Sequence, residues 1–270
     1  MKTVLITGTS SGIGRDSVKY FQEQGWQVGA TMRKPEEETE LGELERVEVI
    51  ALDVTKRESI RAAVEHTLET FGGLDVVVNN AGYGLAGPLE AVTPEQLERQ
   101  YATNVFGPVY VMQAALPHFR QQGSGLFINI SSIGGLTTLP LNSLYHGTKY
   151  ALEGISESVN FELNPLGIRV KLVEPGGVKT DFSGRSLDMM HDPDISAYDD
   201  IVQKALSAFS ARDDDYSTGT DVAKVIFEAA TDGKPQLRYL AGEDAKAMLS
   251  QRESVSDAAY IAGMIERFGF

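Results

Sequence analysis

The chain has 270 residues, a formal net charge of −14 and no cysteine. That length suits one large α/β domain, and the charge argues against nucleic acid and anionic membrane surfaces as partners. The absence of cysteine excludes disulfides, thiol nucleophiles and thiolate metal sites, and no apolar run reaches the ~18 residues that a membrane helix needs.

The N-terminal MKTVLITGTSSGIG has too short an apolar stretch, broken too early by glycine, to be expected as a signal peptide. Its first part, TVLITG (3–8), reads as a buried strand ending in glycine. TGTSSGIG (7–14) then leads into a helical pattern. Gly8, Gly12 and Gly14 suit a tight turn, close approach of a pyrophosphate and close helix–strand packing, with Ser10, Ser11 and Ile13 between them. The alternative is a glycine-rich turn with no ligand. The second strand, QVGATM (27–32), ends at Met32, where an acidic residue would bind a ribose 2′-hydroxyl. Arg33 follows instead and suits a 2′-phosphate, giving the acidic chain a local positive site. The alternative is an ordinary surface Arg–Lys pair.

Further strands are expected at 47–52, 74–80, 125–131 and 168–175. Such apolar runs fit a parallel sheet covered on both faces, hence one doubly wound domain over 1–270. Thr55 with Glu58, and Thr93 with Gln96 and Pro94, predict capping boxes. The acid clusters Glu36–Glu38 and Asp213–Asp215 read as solvated loops. His66, His118, His146 and His191 show no ligand-like pairing, so no metal site is expected. SLYHGTKYAL (143–152) puts Tyr145 and Lys149 on one helical face, either as packing plus a surface charge or as a proton-transfer pair. That helix should stop near Asn164, because Pro165 cannot continue it. Residues 176–215 are rich in turn formers and poor in hydrophobic period, which predicts a substrate lid at a strand end.

TGTSSGIG, Asp53 after the third strand, NNAG (79–82), Asn104, Ser132, Tyr145-x-x-x-Lys149 and PGGVKT (175–180) stand in an order and spacing that closely resembles the short-chain dehydrogenase/reductase family. The resemblance covers roughly residues 1–182, and the wording of YHGTKYALEG and PGGVKTDFSGRS looks like a branch of bacterial oxidoreductases and steroid or retinol dehydrogenases. It implies a Rossmann-type sheet of about seven strands and an NADP(H)-preferring carbonyl reductase or alcohol dehydrogenase, with NAD(H) as the second cofactor. A same-fold epimerase or dehydratase and a non-catalytic dinucleotide sensor are the alternatives. The resemblance also implies a cytoplasmic homodimer or homotetramer paired through helices near 94–120 and 144–164.

Carried onto this sequence, Tyr145 is the expected general acid/base and Lys149 the holder of the nicotinamide ribose. Ser132 would bind the substrate oxygen, and Asn104 would anchor a proton-relaying water. Asp53 and Val54 would touch adenine, and Asn80, Ala81 and Gly82 would line the adenosine side. Pro175, Gly176, Val178 and Thr180 would stand near the nicotinamide and phosphate. Asn79 is expected to be structural and His146 helix filler. Leu85, Leu136, Leu141, Phe182, Met189, Met190 and Phe209 fall in loops around the pocket and suggest an apolar, fairly large substrate, although they could equally pack the lid. A free tyrosine titrates near ~10. One ammonium at ~4 Å in an effective dielectric of ~20 supplies about 4 kcal/mol, the size needed to bring a phenol to ~7, which predicts that Lys149 tunes Tyr145.

Overall fold

Strands rich in Val, Ile and Leu on both faces need cover on both faces, and the computed structural model of the protein supplies it. The structure describes residues 1–179, 187–210 and 216–270. Thr3–Thr7 (β1), Gln27–Met32 (β2), Val47–Ala51 (β3), Val76–Asn79 (β4), Gly125–Ile130 (β5), Ile168–Pro175 (β6) and Arg238–Ala241 (β7) form one sheet. Its order is β7-β6-β5-β4-β1-β2-β3, with every pairing parallel.

Alternate side chains of one strand feed opposite layers. On β1, Val4 and Ile6 join a core with Val18, Phe21, Val222 and Ile226, contributed by helices Gly12–Glu23 (α1) and Gly219–Thr231, while Leu5 faces away from it. Leu5 instead joins Ile60, Val64, Val111, Phe119 and Leu163 from Arg57–Phe71 (α2), Gly107–Gln122 and Ser143–Leu163. The strand order reverses between β1 and β4, so their carboxyl ends open a crevice at the topological switch point. The other helices are Pro94–Tyr101 (α3), then Gly107–Gln122 (α4), Ser143–Leu163 (α5), Asp199–Ser210 (α6), Gly219–Thr231 (α7), Glu243–Glu253 (α8) and Asp257–Phe268 (α9). No helix among the described residues is long and apolar enough to cross a membrane.

The capping box at Thr93 forms: Thr93 Oγ1 accepts from Gln96 N at 3.2 Å, and Pro94 opens α3. The one expected at Thr55 does not, because Asp53 Oδ1 accepts both the Thr55 amide (3.0 Å) and its hydroxyl (2.7 Å). This local Asx turn outcompetes the cap, and α2 starts after Lys56. A second box forms at Thr218 and Asp221, and α5 ends at Leu163, before Pro165.

The segment expected as a lid is more regular than its composition suggests. Val178–Lys179 pairs in parallel with Ser217–Thr218, and Leu187–Met189 with Gly84–Ala86, and α6 follows. Residues 180–186 and 211–215, including Thr180 and Phe182, lie outside the described residues. The carboxyl end packs back on its own chain. Tyr260 Oη on α9 is 2.6 Å from Thr137 Oγ1 and donates to Thr138 O (2.7 Å), and Phe268 meets Phe209 edge-on at 5.5 Å.

Burying a charge is costly unless it is paired and fully hydrogen-bonded. Lys171 on β6, only 2% exposed, meets that condition through Ala229 O (2.8 Å), Asp232 Oδ1 (2.6 Å) and Tyr239 Oη (2.8 Å). It ties α7 to β7 from inside. Lys171→Met should leave Asp232 without its buried cation, although Tyr239 Oη still donates to it (2.7 Å), and lower stability by about 2–3 kcal/mol in urea denaturation. A loss within ~0.5 kcal/mol, the scatter of ordinary surface changes, would show the network to be dispensable.

Candidate active site

The glycine loop is built by contact rather than by turn preference alone. Gly8 has φ +72°, and a Cβ there would stand 2.8 Å from Ala81 Cα. A Cβ on Gly14 would collide with the Gly8 carbonyl and Asn80 Nδ2. The first turn of α1 carries no acidic residue, and Ser11 at its N-cap makes no side-chain cap bond, so the helix presents free amides to the crevice. Ser10 is exposed beside it, and Ile13 packs partly into the core.

Asn80, expected on the adenosine side, is bound to the glycine loop. Its Nδ2 donates to Thr7 O (2.9 Å) and Gly8 O (3.0 Å), while the Asn80 and Ala81 amides donate to Thr7 Oγ1 (3.0 Å each). The side chain is thus a clamp on the loop. Asn79 lies where expected, donating to Asn129 Oδ1 at 2.8 Å between β4 and β5.

At the carboxyl end of β2, Arg33 is exposed and makes no ion pair among the described residues. Asp53 lies near it; burial opposes its ionisation, but bonds from Thr55 and the charges of Lys56 and Arg33 hold it below the usual range. Val54 is buried under Gly107. Sequence reading gave Arg15 no role, yet it fixes the surroundings. It pairs with both oxygens of Glu38 (2.6 and 3.0 Å) and with Glu40 (2.6 Å). The Arg15 guanidinium, with help from the Leu41 and Glu40 amides and against burial, brings Glu38 down to about 2.

Four elements converge at the other end of the crevice. Ser132 follows β5, accepts from Gly134 N at 3.0 Å and hydrogen-bonds the phenol of Tyr145. Tyr145 and Lys149 lie one turn apart on α5, and Lys149 Nζ stands 5.6 Å from the Tyr145 ring centroid. The buried Lys149 Nζ donates to Ile130 O at 2.9 Å. Asn104 occupies a π-helical turn, Ala102–Phe106, a distortion frequent at functional sites. Its Oδ1 accepts from Tyr83 N (3.1 Å), and its Nδ2 donates to Tyr83 O (2.9 Å) and Thr148 Oγ1 (3.1 Å). Gly82 fits against Asn104, where a Cβ would stand 3.3 Å from Oδ1.

The electrostatics differ from the expectation that Lys149 brings Tyr145 to neutral pH. Burial pushes the phenol above its ordinary value, and the Ser132 hydrogen bond pulls only partly against it. Burial also lowers Lys149 to about 8, with Glu153 pulling the other way. The reason is that the same desolvation penalises phenolate and ammonium alike. At neutral pH Tyr145 keeps its proton and Lys149 is mostly cationic.

The loop after Pro175 is anchored by Gly176 N to Ala241 O (3.0 Å) and Gly177 N to Asp244 Oδ2 (2.6 Å), and Val178 begins the short strand beyond. Of the apolar pocket candidates, Leu85 and Met190 are buried against each other with Ala91 and Leu144. They are packing residues, as Phe209 is beside Phe268. Leu136 and Leu141 stay partly exposed and Met189 is exposed.

His146 is more than filler. Its Nδ1 donates to Gly134 O (2.7 Å) and its Nε2 accepts from Leu139 N (2.9 Å), so the neutral ring ties the loop after Ser132 to α5. Only the Ser132-to-Tyr145 loop could have revealed this partnership, and its hydrogen bonds are not legible from spacing. Burial depresses the imidazole below its unfolded value. A depressed base stabilises the fold above the unfolded pKa, and that contribution fades as pH falls. The wild type should therefore lose stability as pH drops below ~6.5. In His146→Gln, denaturant midpoints should show a shallower slope there, and kcat/KM should fall about tenfold through a loosened Ser132.

Comparison with known proteins agrees with this geometry. The short chain dehydrogenase family model matches residues 2–190. Human 17-beta-hydroxysteroid dehydrogenase type 1 is 35% identical over 277 aligned residues, covering 97% of this chain and 84% of that one. A short-chain dehydrogenase from Streptomyces avermitilis superposes with a TM-score of 0.84 at 33% identity, covering 98% and 95% of the two chains. ElxO with NADP bound superposes at 0.75 with 29% identity, covering 91% of this chain and 99% of that one. Other structural relatives hold NADH or NAD. A seven-stranded parallel sheet, a glycine loop at its switch point and this family match together make the chain a member of the short-chain dehydrogenase/reductase family.

Proposed function

We propose that this chain is an NADP(H)-dependent ketoreductase or alcohol dehydrogenase acting on an apolar, fairly large carbonyl or secondary alcohol. The observation that carries this reading is the Ser132–Tyr145 hydrogen bond with the Lys149 ammonium over the same ring. The residues present fit a nicotinamide dinucleotide. Gly8 and Gly14 let the loop pack tightly against Ala81 and Asn80 where side chains would collide, and α1 offers its amides to a pyrophosphate. Arg33 is unpaired among the described residues, while Glu38 is turned toward Arg15 and Glu37 toward Lys34. Two of the three neighbouring carboxylates are thereby partly neutralised, which favours a 2′-phosphate beside Arg33. The cofactor supplies the hydride when bound.

The chain's own residues handle the oxygen and its proton. Ser132 and Tyr145 hold the carbonyl oxygen from one side. Tyr145 is protonated at neutral pH, so it is set to donate as negative charge develops on that oxygen. Lys149 holds the ribose and stabilises the phenolate left behind. Asn104, fixed at the π turn, keeps the relay region ordered next to Thr148. Pro175, Gly176 and Val178 border the nicotinamide, and residues 176–179 and 187–210 lie over the substrate as part of one domain. The relatedness to a steroid dehydrogenase supports an apolar substrate. Exposed Phe106, Tyr150 and Phe161 on and beside α4 and α5 support pairing of subunits in a cytoplasmic homodimer or homotetramer.

Tyr145→Phe should bind cofactor normally yet keep less than a few per cent of the wild-type rate, followed by nicotinamide absorbance with a panel of carbonyls. Lys149→Ala should lose both rate and cofactor affinity. A near-normal rate in the phenylalanine variant would remove the proton-transfer assignment. For the cofactor, a charge-assisted contact is worth about 1.5–3 kcal/mol. Exposure of Arg33 and the nearby Glu36 place the expected preference for NADP(H) near tenfold, the lower end of that range. Arg33→Ala should erase it in kcat/KM measured with both cofactors; equal use of NAD(H) by the wild type would refute the preference.

A further inference from the structure

Beyond Lys149, the i, i+4 ridge of α5 continues through Glu153 to Glu157. Glu153 is 5% exposed, and Glu174, near the end of β6, is 0% exposed. Glu153 Oε1 and both oxygens of Glu174 have no hydrogen-bond partner among the described residues. One guanidinium serves the whole group. Arg238 Nε stands 2.9 Å from Glu153 Oε2 and 3.8 Å from Glu174 Oε1, and its Nη2 reaches Glu157 at 2.6 Å. Ser131 flanks the site from the end of β5, since a Cβ on Gly135 would touch both Ser131 Oγ (2.8 Å) and Glu153 Cγ (3.0 Å). Tyr150 adjoins Glu153 on α5. Asp244 on α8 is turned away, toward the Gly177 amide.

Two buried carboxylates facing one arginine cannot both ionise cheaply. Burial raises Glu153 as well, but its direct ion pair with Arg238 pulls against this, so Glu174 is the member that keeps a proton. Burial, then the charge of Glu153, raises Glu174 to about 8, against the charge of Arg238. We propose that Glu153 and Glu174 carry one proton between them behind the active site, held on Glu174, and that the single negative charge left makes Glu153 a positioning residue that keeps the Lys149 ammonium charged. Glu153 lies beyond direct salt-bridge reach of Lys149, so it acts through the field and not as a ligand of the ammonium. As pH rises and Glu174 loses its proton, the second charge adds to that field. The loss of the Lys149 proton is thereby deferred at the alkaline end of the working range.

This inference rests on reading Tyr145 and Lys149 as the catalytic pair, and the experiment separates the two. The full-length protein is assayed for carbonyl reduction from acid to alkaline pH. The alkaline limb of the kcat/KM profile should move down by roughly one pH unit in Glu153→Gln. Glu153→Asp should recover most of the shift. A profile that superimposes on the wild type, with only its height reduced, would mean a structural role and overturn the proposal. If Tyr145→Phe and Lys149→Ala stay active, the reading of the site fails instead.

Stability gives a second test that needs no turnover and stands even if Glu153→Gln does not fold. Folded Glu174 retains a proton that the unfolded chain releases near its ordinary value of 4.5, so stability falls as pH rises between 4.5 and about 8. Glu174→Gln lacks that titration. Its urea midpoint relative to the wild type should climb steadily over that range and level off above it. A difference independent of pH would show that Glu174 is ionised throughout, and the shared proton would be disproved.

Discussion

An ammonium taken out of water must find oxygen, and Lys149 is the place where this chain meets that demand. The Ile130 carbonyl at the end of β5 receives it directly. To do so, β5 must stop at residue 130, and α5 must cross the sheet edge with Lys149 facing inward. Those two requirements also deliver Ser132 and Tyr145 to each other, because they sit two residues past the strand and one turn up the helix. Around this point the other polar groups act as braces. His146 fixes the loop between strand and helix, and Thr148 meets Asn104 from the facing π turn. A polar network of this kind is worth keeping only when nearly every member is satisfied, which makes the unpartnered oxygens of Glu153 and Glu174 conspicuous.

The dinucleotide end follows a different logic. A chain of net charge −14 repels phosphates at long range, so it must manage its acids locally. Arg15 gathers Glu38 and Glu40, Lys19 shares Glu40, and Lys34 holds Glu37. These pairs are close to α1 and leave Arg33 facing solvent beside Asp53. Apart from the half-buried Arg15–Glu38 contact these pairs are exposed and contribute little to stability; here their consequence is the charge left over at one spot.

Sequence made the sheet legible wherever a strand was long and apolar, as in β1, β5 and β6. It missed β7 as a defined segment, because four residues between Pro235 and Gly242 give no periodicity to read. It read the Thr93 cap correctly and the Thr55 cap wrongly, since a neighbouring Asp53 offers Thr55 a shorter-range partner. The candidate site residues were named by motif, and the structure brings Ser132, Tyr145, Lys149 and Asn104 to one region. Their electrostatics were not legible. Burial of Tyr145, the clamp made by Asn80, the neutral ring of His146 and the glutamates behind Lys149 all depend on partners from distant elements. The same holds for Leu85 and Met190, whose apolar character suited a pocket but whose contacts are with each other.

The tether from Tyr260 to Thr137 and Thr138 joins the last helix to the segment that runs from Ser132 toward Tyr145. The final dozen residues are therefore a roof tile laid over the serine loop, while the sheet beneath is indifferent to them. A strain placed on the last helix is thereby passed through a single phenol to the loop that carries Ser132.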